Sequence, residues 1–156
     1  MYSKKILCCY CDASVKGNKA CGGVVLKYAE ETKARTYATF PLVKRTSHKA
    51  EVDVIYYATE VLLNRVWPLW FDLEDHHRIY IYNDNNIAVR QVNGHNSKEE
   101  VTKNRIQEIK NNLTLISQKC IISVRCRAQK SAFSMYSAHY FARNHIDEKR
   151  VLVYSI

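Results

Sequence analysis

Glycine and proline are scarce, four and two among 156 residues. That scarcity excludes collagen-like, linker-like and low-complexity architectures. Long apolar runs are missing too. None approaches the roughly 20 residues that a membrane-spanning helix needs. The apolar stretch after Lys4-Lys5 is short and meets Asp12, so it does not read as a signal peptide, and a cytoplasmic location is expected. Zinc-finger spacing is absent among the six cysteines. Cys8 and Cys11 form a C-x-x-C, but on a strand residues three apart face opposite sides; Cys120 and Cys126 are six apart. Buried, reduced thiols of a cytoplasmic protein are the expectation.

Acid is the scarcer charge, 15 Asp/Glu against 24 Lys/Arg, and its placement is uneven. Residues 1–50 carry ten basic and three acidic side chains, residues 51–100 four and nine, and residues 101–156 ten and three. A basic chain with an acidic middle suits a polyanion held near a cation-binding centre, or a basic surface kept for solubility. The 156 residues suffice for one core, and one domain over 1–156 is expected.

Apolar alternation and turn residues predict strands at 5–13, 21–29 and 36–40, joined by short connections that favour an antiparallel meander. Ser47 is the expected N-cap of a helix reaching about Arg65. An aromatic and acidic connection, 67–77, reads as a loop folded over the core, or else as a partner or lid surface. A strand at 78–83 follows, then a short helix at 85–92. Ser97 and Glu100 form an S-x-x-E capping pattern for a helix to about 118. A strand at 120–126 and a helix at 134–144 close the list. This order points to an α/β fold with a mixed sheet flanked by helices.

Three acids stand where periodicity makes them odd. Asp12 ends the first strand, Asp84 ends the fourth, and Glu51 lies in the first turn of the first helix. Singly, a strand-end Asp is a common turn former, and a first-turn Glu complements the helix dipole. Together they invite another reading. Strand ends of an α/β sheet gather side chains at one edge, and hard oxygen ligands clustered there bind Mg²⁺ or Mn²⁺.

Four segments carry a resemblance to a known family. Asp12-Ala13-Ser14 followed by Gly22-Gly23 is similar to a D-G-S first strand and a glycine-opened second strand. Thr46-Ser47-His48-Lys49-Ala50-Glu51 resembles a T-N-N-x-A-E helix start. Ile79 to Asn85 resembles a strand ending in T-D-S. Ala138-His139-Tyr140-Phe141-Ala142-Arg143 resembles A-D-x-L-A-R. In this order they resemble the type 1 ribonuclease H family.

The resemblance implies an RNase H-like fold with a five-stranded mixed sheet, three antiparallel strands and then parallel ones, flanked by helices. It implies a metal-dependent endonuclease, a phosphodiester hydrolase, cutting the RNA strand of RNA–DNA hybrids with two Mg²⁺ or Mn²⁺ ions and leaving a 3′-hydroxyl and a 5′-phosphate. Asp12 would bridge the metals, Glu51 would hold one ion, Asp84 the other, and His139 would complete the shell of the Asp84 ion. Ser14, Asn18, Ser47, His48 and Asn85 are candidates for substrate contact, including recognition of the RNA 2′-hydroxyl. Asn18 reads equally as a turn residue. Lys16, Lys19, Lys44, Arg45 and Lys49 would flank the active edge. Lys98, Lys103, Arg105 and Lys110 would form either a basic grip or a solvated helix face. No membrane partner is expected, and a monomer is.

The departures from the family pattern are specific. His139 replaces the fourth acid, Ser47 and His48 replace the asparagine pair, and no loop histidine is evident in 127–131. Imidazole binds Mn²⁺ better than Mg²⁺ and transfers protons near neutral pH. The alternative is a weakened or inactive RNase H-like domain that binds nucleic acid or a protein partner without cutting.

Overall fold

The computed structural model describes residues 5–43, 46–66, 71–94, 100–128 and 133–155. Strands β1 (Lys5–Lys16), β2 (Lys19–Tyr28) and β3 (Thr36–Pro41) form the antiparallel meander. Helix α1 (Ser47–Leu62) leads through a 3₁₀ turn (Leu73–Asp75) to β4 (His76–Asn83). Then come α2 (Asn86–Val92), α3 (Glu100–Ser117), β5 (Ile121–Cys126), α4 (Phe133–Asn144) and β6 (Leu152–Ser155). The sheet order is β5-β4-β1-β2-β3-β6, with β4 and β5 parallel to β1.

The sheet thus has six strands, not the expected five. The sixth, β6, pairs antiparallel with β3 from Thr36–Ser155 to Thr39–Leu152. A four-residue strand has too few residues to show a period, and its partner lies more than a hundred residues earlier. Helix α1 also starts differently. Thr46 occupies the N-cap position without a side-chain cap bond, so Ser47 is the first helical residue. α1 stops at Leu62 rather than near Arg65. β4 begins at His76, two residues earlier than expected, because His76 pairs with Lys5 of β1; its ring stacks on Tyr28, with Nε2 3.2 Å from the Tyr28 hydroxyl. The expected Ser97 cap and the aromatic stretch 67–70 lie outside the described residues.

Strand β1 reads as a continuous apolar run because helices cover both its faces. Leu7, Cys9 and Cys11 point into the larger core, against Ile55, Ala58 and Leu62 of α1 and Ile79 and Ile81 of β4. Cys8 and Tyr10 point the other way, toward Met135 and Ala138 of α4. Cys8 and Cys11 therefore do lie on opposite faces, and all six cysteines are free. Helices α1 and α3 are joined by polar contacts: Asp53, 2% exposed, accepts from Arg105 at 2.9 Å, and Asn112 donates to the Thr59 hydroxyl at 2.9 Å. Arg105 also lies 4.0 Å from the Tyr56 ring centroid. It is thus a bolt between helices, not the displayed grip residue the helix pattern suggests.

The hairpin turn after β1 is tight, since Lys16 pairs with Lys19. Gly17 takes φ +62°, the left-handed conformation such turns demand. The next glycines serve packing. A Cβ on Gly22 would stand 2.6 Å from Val54 Cγ2 of α1, and one on Gly23 would stand 2.2 Å from the Ala138 carbonyl oxygen of α4. Gly22 and Gly23 pair with Ala13 and Asp12, so both helices close on β2 directly beside Asp12 of β1.

Candidate metal centre

β1 runs on to Lys16 in its hairpin with β2, so Asp12 does not end the strand as expected; it lies where the pairing with β4 stops, at Tyr10–Tyr82, and Asp84 follows the last residue of β4, both on the same side of the sheet as Tyr10 and Tyr82. Glu51 arrives from the first turns of α1, on the opposite face, and reaches the Ala13 amide beside Asp12. The Ala13 N–H donates to Asp12 Oδ1 at 3.0 Å and to Glu51 Oε1 at 2.6 Å. One oxygen from each of Asp12, Glu51 and Asp84 falls within 4.8 Å of the others. Asn83 steadies the floor of the site, its side-chain nitrogen donating to the Cys11 carbonyl at 3.0 Å and its oxygen accepting from the Asn85 N–H at 2.9 Å.

Like charges this close, two of them buried, oppose ionisation. Burial pushes the Asp12 carboxyl up to about 8, with the Asp84 charge adding to the shift. Burial and then the Asp12 charge raise Glu51 well above the usual carboxylate range. A divalent cation removes this conflict. The donor set fits Mg²⁺ or Mn²⁺, which take carboxylate oxygens, and contains no sulfur ligand.

His139, on α4, places Nδ1 2.9 Å from Asp12 Oδ2. The imidazole is thus joined to the carboxylate group through Asp12. Ser14 lies two residues beyond Asp12 on the same face and lines a cleft of about 270 Å³ with Lys16 and Arg143. Asn85 caps α2, its side-chain oxygen accepting from the Ala88 N–H at 2.9 Å. His48 sits one residue into α1, and its Nδ1 is enclosed without a hydrogen-bond partner. Asn18 stands in the hairpin turn beyond Lys16, which is itself about 13 Å along the strand from Asp12. It serves the turn and is not brought to the carboxylates. The Ser47 side chain, Lys44, Arg45, Lys98 and residues 129–131 lie outside the described set. Sequence reading missed the Ala13 amide, because a backbone donor leaves no mark in residue type. It also missed the pairing of His139 with Asp12, which depends on where α4 lands.

Searches of the sequence against protein-family models and against curated proteins give no match. The fold does match solved structures. The crystal structure of RNase H1 from the halophilic archaeon Halobacterium salinarum is 17% identical, with a TM-score of 0.73 over 92% of this chain and 98% of that one. The N-terminal RNase H domain of rv2228c from Mycobacterium tuberculosis, solved as a fusion with maltose-binding protein, is 14% identical, with a TM-score of 0.68 over 92% and 94%. LC11-RNase H1 in complex with an RNA/DNA hybrid is 21% identical, with a TM-score of 0.67 over 91% and 97%. Through nearly its whole length, then, this chain has an RNase H-like α/β fold.

Proposed function

We propose that this chain is a metal-dependent endonuclease that hydrolyses the RNA strand of RNA–DNA hybrids. The observation that carries the reading is the convergence of Asp12, Glu51 and Asp84, from two adjacent parallel strands and a helix start, onto one point. A neighbour solved with an RNA/DNA hybrid supports the choice of substrate.

Asp12, Glu51 and Asp84 would hold the divalent ions. Two such ions, Mg²⁺ or Mn²⁺, activate a water and stabilise the leaving oxygen of a phosphodiester. The chain's own groups prepare that step. The Ala13 N–H fixes one oxygen each of Asp12 and Glu51. His139 fixes the second oxygen of Asp12, and its Nε2 can hold or release a proton as the leaving oxygen departs. His48, three residues before Glu51 in α1, and Ser14, two residues after Asp12 in β1, are assigned to the sugar–phosphate backbone, with the Asn85 side-chain nitrogen. Ser47 is assigned the same role from its place in the chain.

End-labelled RNA–DNA hybrid, duplex DNA and duplex RNA, each incubated in Mg²⁺ and in Mn²⁺, test the reading. Cleavage of the RNA strand of the hybrid alone, lost in Asp84→Asn, is expected. No metal-dependent cleavage of any substrate would sink it. The second reading, a binding domain that does not cut, is favoured by one observation, the histidine at 139. Under it the hybrid would still bind, in the presence of either metal, without turnover.

A further inference from the structure

The sheet face that bears Asp12 and Asp84 is only half covered. Helix α4 lies over β1, β2 and β3, and among the described residues no helix packs over β4 and β5 on that side. The open part carries tyrosine and arginine, and it borders Tyr10, which is buried under α4. Tyr10 and Tyr82 stack at 5.2 Å between centroids, and Tyr82 and Tyr80 at 5.7 Å. Arg78 and Arg125 both lie over the Tyr80 ring, 5.6 and 5.0 Å from its centroid, and Arg127 lies 5.2 Å from that of Tyr82.

Stacked aromatic pairs are a common way to stabilise neighbouring strands, and a guanidinium over a ring is ordinary. Arg78 Nη1 also donates to the Tyr80 hydroxyl at 3.3 Å, but a second guanidinium at the same ring is not explained by that. The two repel, and among the described residues neither Arg78 nor Arg125 makes an ion pair with a carboxylate. Arg125 is exposed and Tyr80 and Tyr82 are half exposed, so the surface is wet and reachable. It is a flat platform, not a cavity. The track runs from Arg78 to Arg127, which stands level with Asp84, a length of about 20 Å.

We propose that this platform binds single-stranded nucleic acid leading to or from the carboxylate centre. The backbone phosphates offset the paired arginines, and unpaired bases stack on the tyrosine and guanidinium planes. A duplex buries its base faces and could use only the charges. The placement relative to the centre rests on the function proposed above; the binding itself does not.

The experiment therefore measures binding, not cleavage. Fluorescence anisotropy without divalent metal is recorded for labelled single-stranded RNA and DNA oligonucleotides of mixed sequence. Arg78→Ser/Arg125→Ser should weaken binding at least about tenfold and make the slope of log affinity against log salt shallower by about 1.4, for two lost phosphate contacts. The charge-matched control Lys33→Ser/Lys149→Ser, at exposed positions elsewhere, should stay close to the parent chain. Arg78→Lys/Arg125→Lys should keep the salt slope yet lose affinity, because lysine retains charge without the plane. Equal binding by the serine variant and the control would overturn the proposal, as would a lysine variant indistinguishable from the parent. A blunt-ended duplex or an acidic peptide that competes as well as the oligonucleotide would overturn the single-strand assignment. Cleavage of blunt hybrid by the same variants reports separately on the proposed function.

Discussion

Asp12 is buried beside two other carboxylates, and its stability consequence has a definite sign. Its carboxyl sits at about 8 when folded, against a usual value near 4. Whatever stability it contributes is therefore present below about pH 4 and is lost as pH rises toward 8. Asp12→Asn removes that loss. Without divalent ions, the variant should melt above the parent chain, by a margin that widens between pH 5 and 8. Calorimetry at several pH values measures it. Added Mn²⁺ should raise the parent's melting temperature and leave the variant nearly unmoved. His139 makes a second prediction at this scale. An aspartate there adds an oxygen ligand beside Asp12, so His139→Asp should raise Mg²⁺-dependent hybrid cleavage several-fold and narrow any preference for Mn²⁺. Initial rates in the two metals decide it.

Between elements, the paired glycines of β2 set how closely α1 and α4 approach. The two contacts differ in kind. At Gly22 a methyl would meet the side chain of Val54, while at Gly23 it would meet the backbone carbonyl of Ala138. Each alanine substitution should cost about 1–3 kcal/mol through overpacking. Gly22→Ala should recover with Val54→Ala in the same chain; Gly23→Ala should have no such rescue and should also separate His139 from Asp12. Melting curves of the single and double variants measure the difference. Breaking the Asp53–Arg105 pair leaves a buried carboxylate without that partner. Arg105→Ala should cost about 3 kcal/mol, or about 6–12 °C in melting temperature for a chain of this length. Much of this layer was legible in the sequence. The runs at 5–13, 21–29 and 78–83 announced inner strands, and Asp12 and Asp84 were conspicuous as charges ending them. Cap geometry was not legible, because Thr46 and Ser47 are both plausible N-caps and only the backbone chooses. Nor was β6, whose pairing with β3 is a long-range choice with no local period. Arg105 misled because a helix face shows which side chains are polar and not which neighbour they meet.

Across the whole molecule, charge and topology divide the labour. The chain carries a net charge of +9 beside a cluster of three carboxylates, so hybrid binding should fall steeply with salt. A plot of log affinity against log salt should be linear, with a slope near −0.9 for each duplex phosphate contacted. A slope near zero would contradict an electrostatic grip. The carboxylates could be found in the sequence because chemistry forces unusual residues into strand ends. The arginine–tyrosine platform could not, because Arg78 and Arg125 meet over Tyr80 only once β4 and β5 are in register.

The place of β1 in the sheet has a consequence for time. It lies third of six strands, with a partner on each side and a helix against each face. Its amides can meet solvent only when large parts of the molecule open, whereas those of the edge strands β5 and β6 are released by small openings. In hydrogen–deuterium exchange, the amides of Cys9 and Cys11 should be among the last to acquire deuterium. The carboxylate of Asp12 is thus held on a clock set by global unfolding, and ordinary fluctuations at the sheet's margins leave it in place.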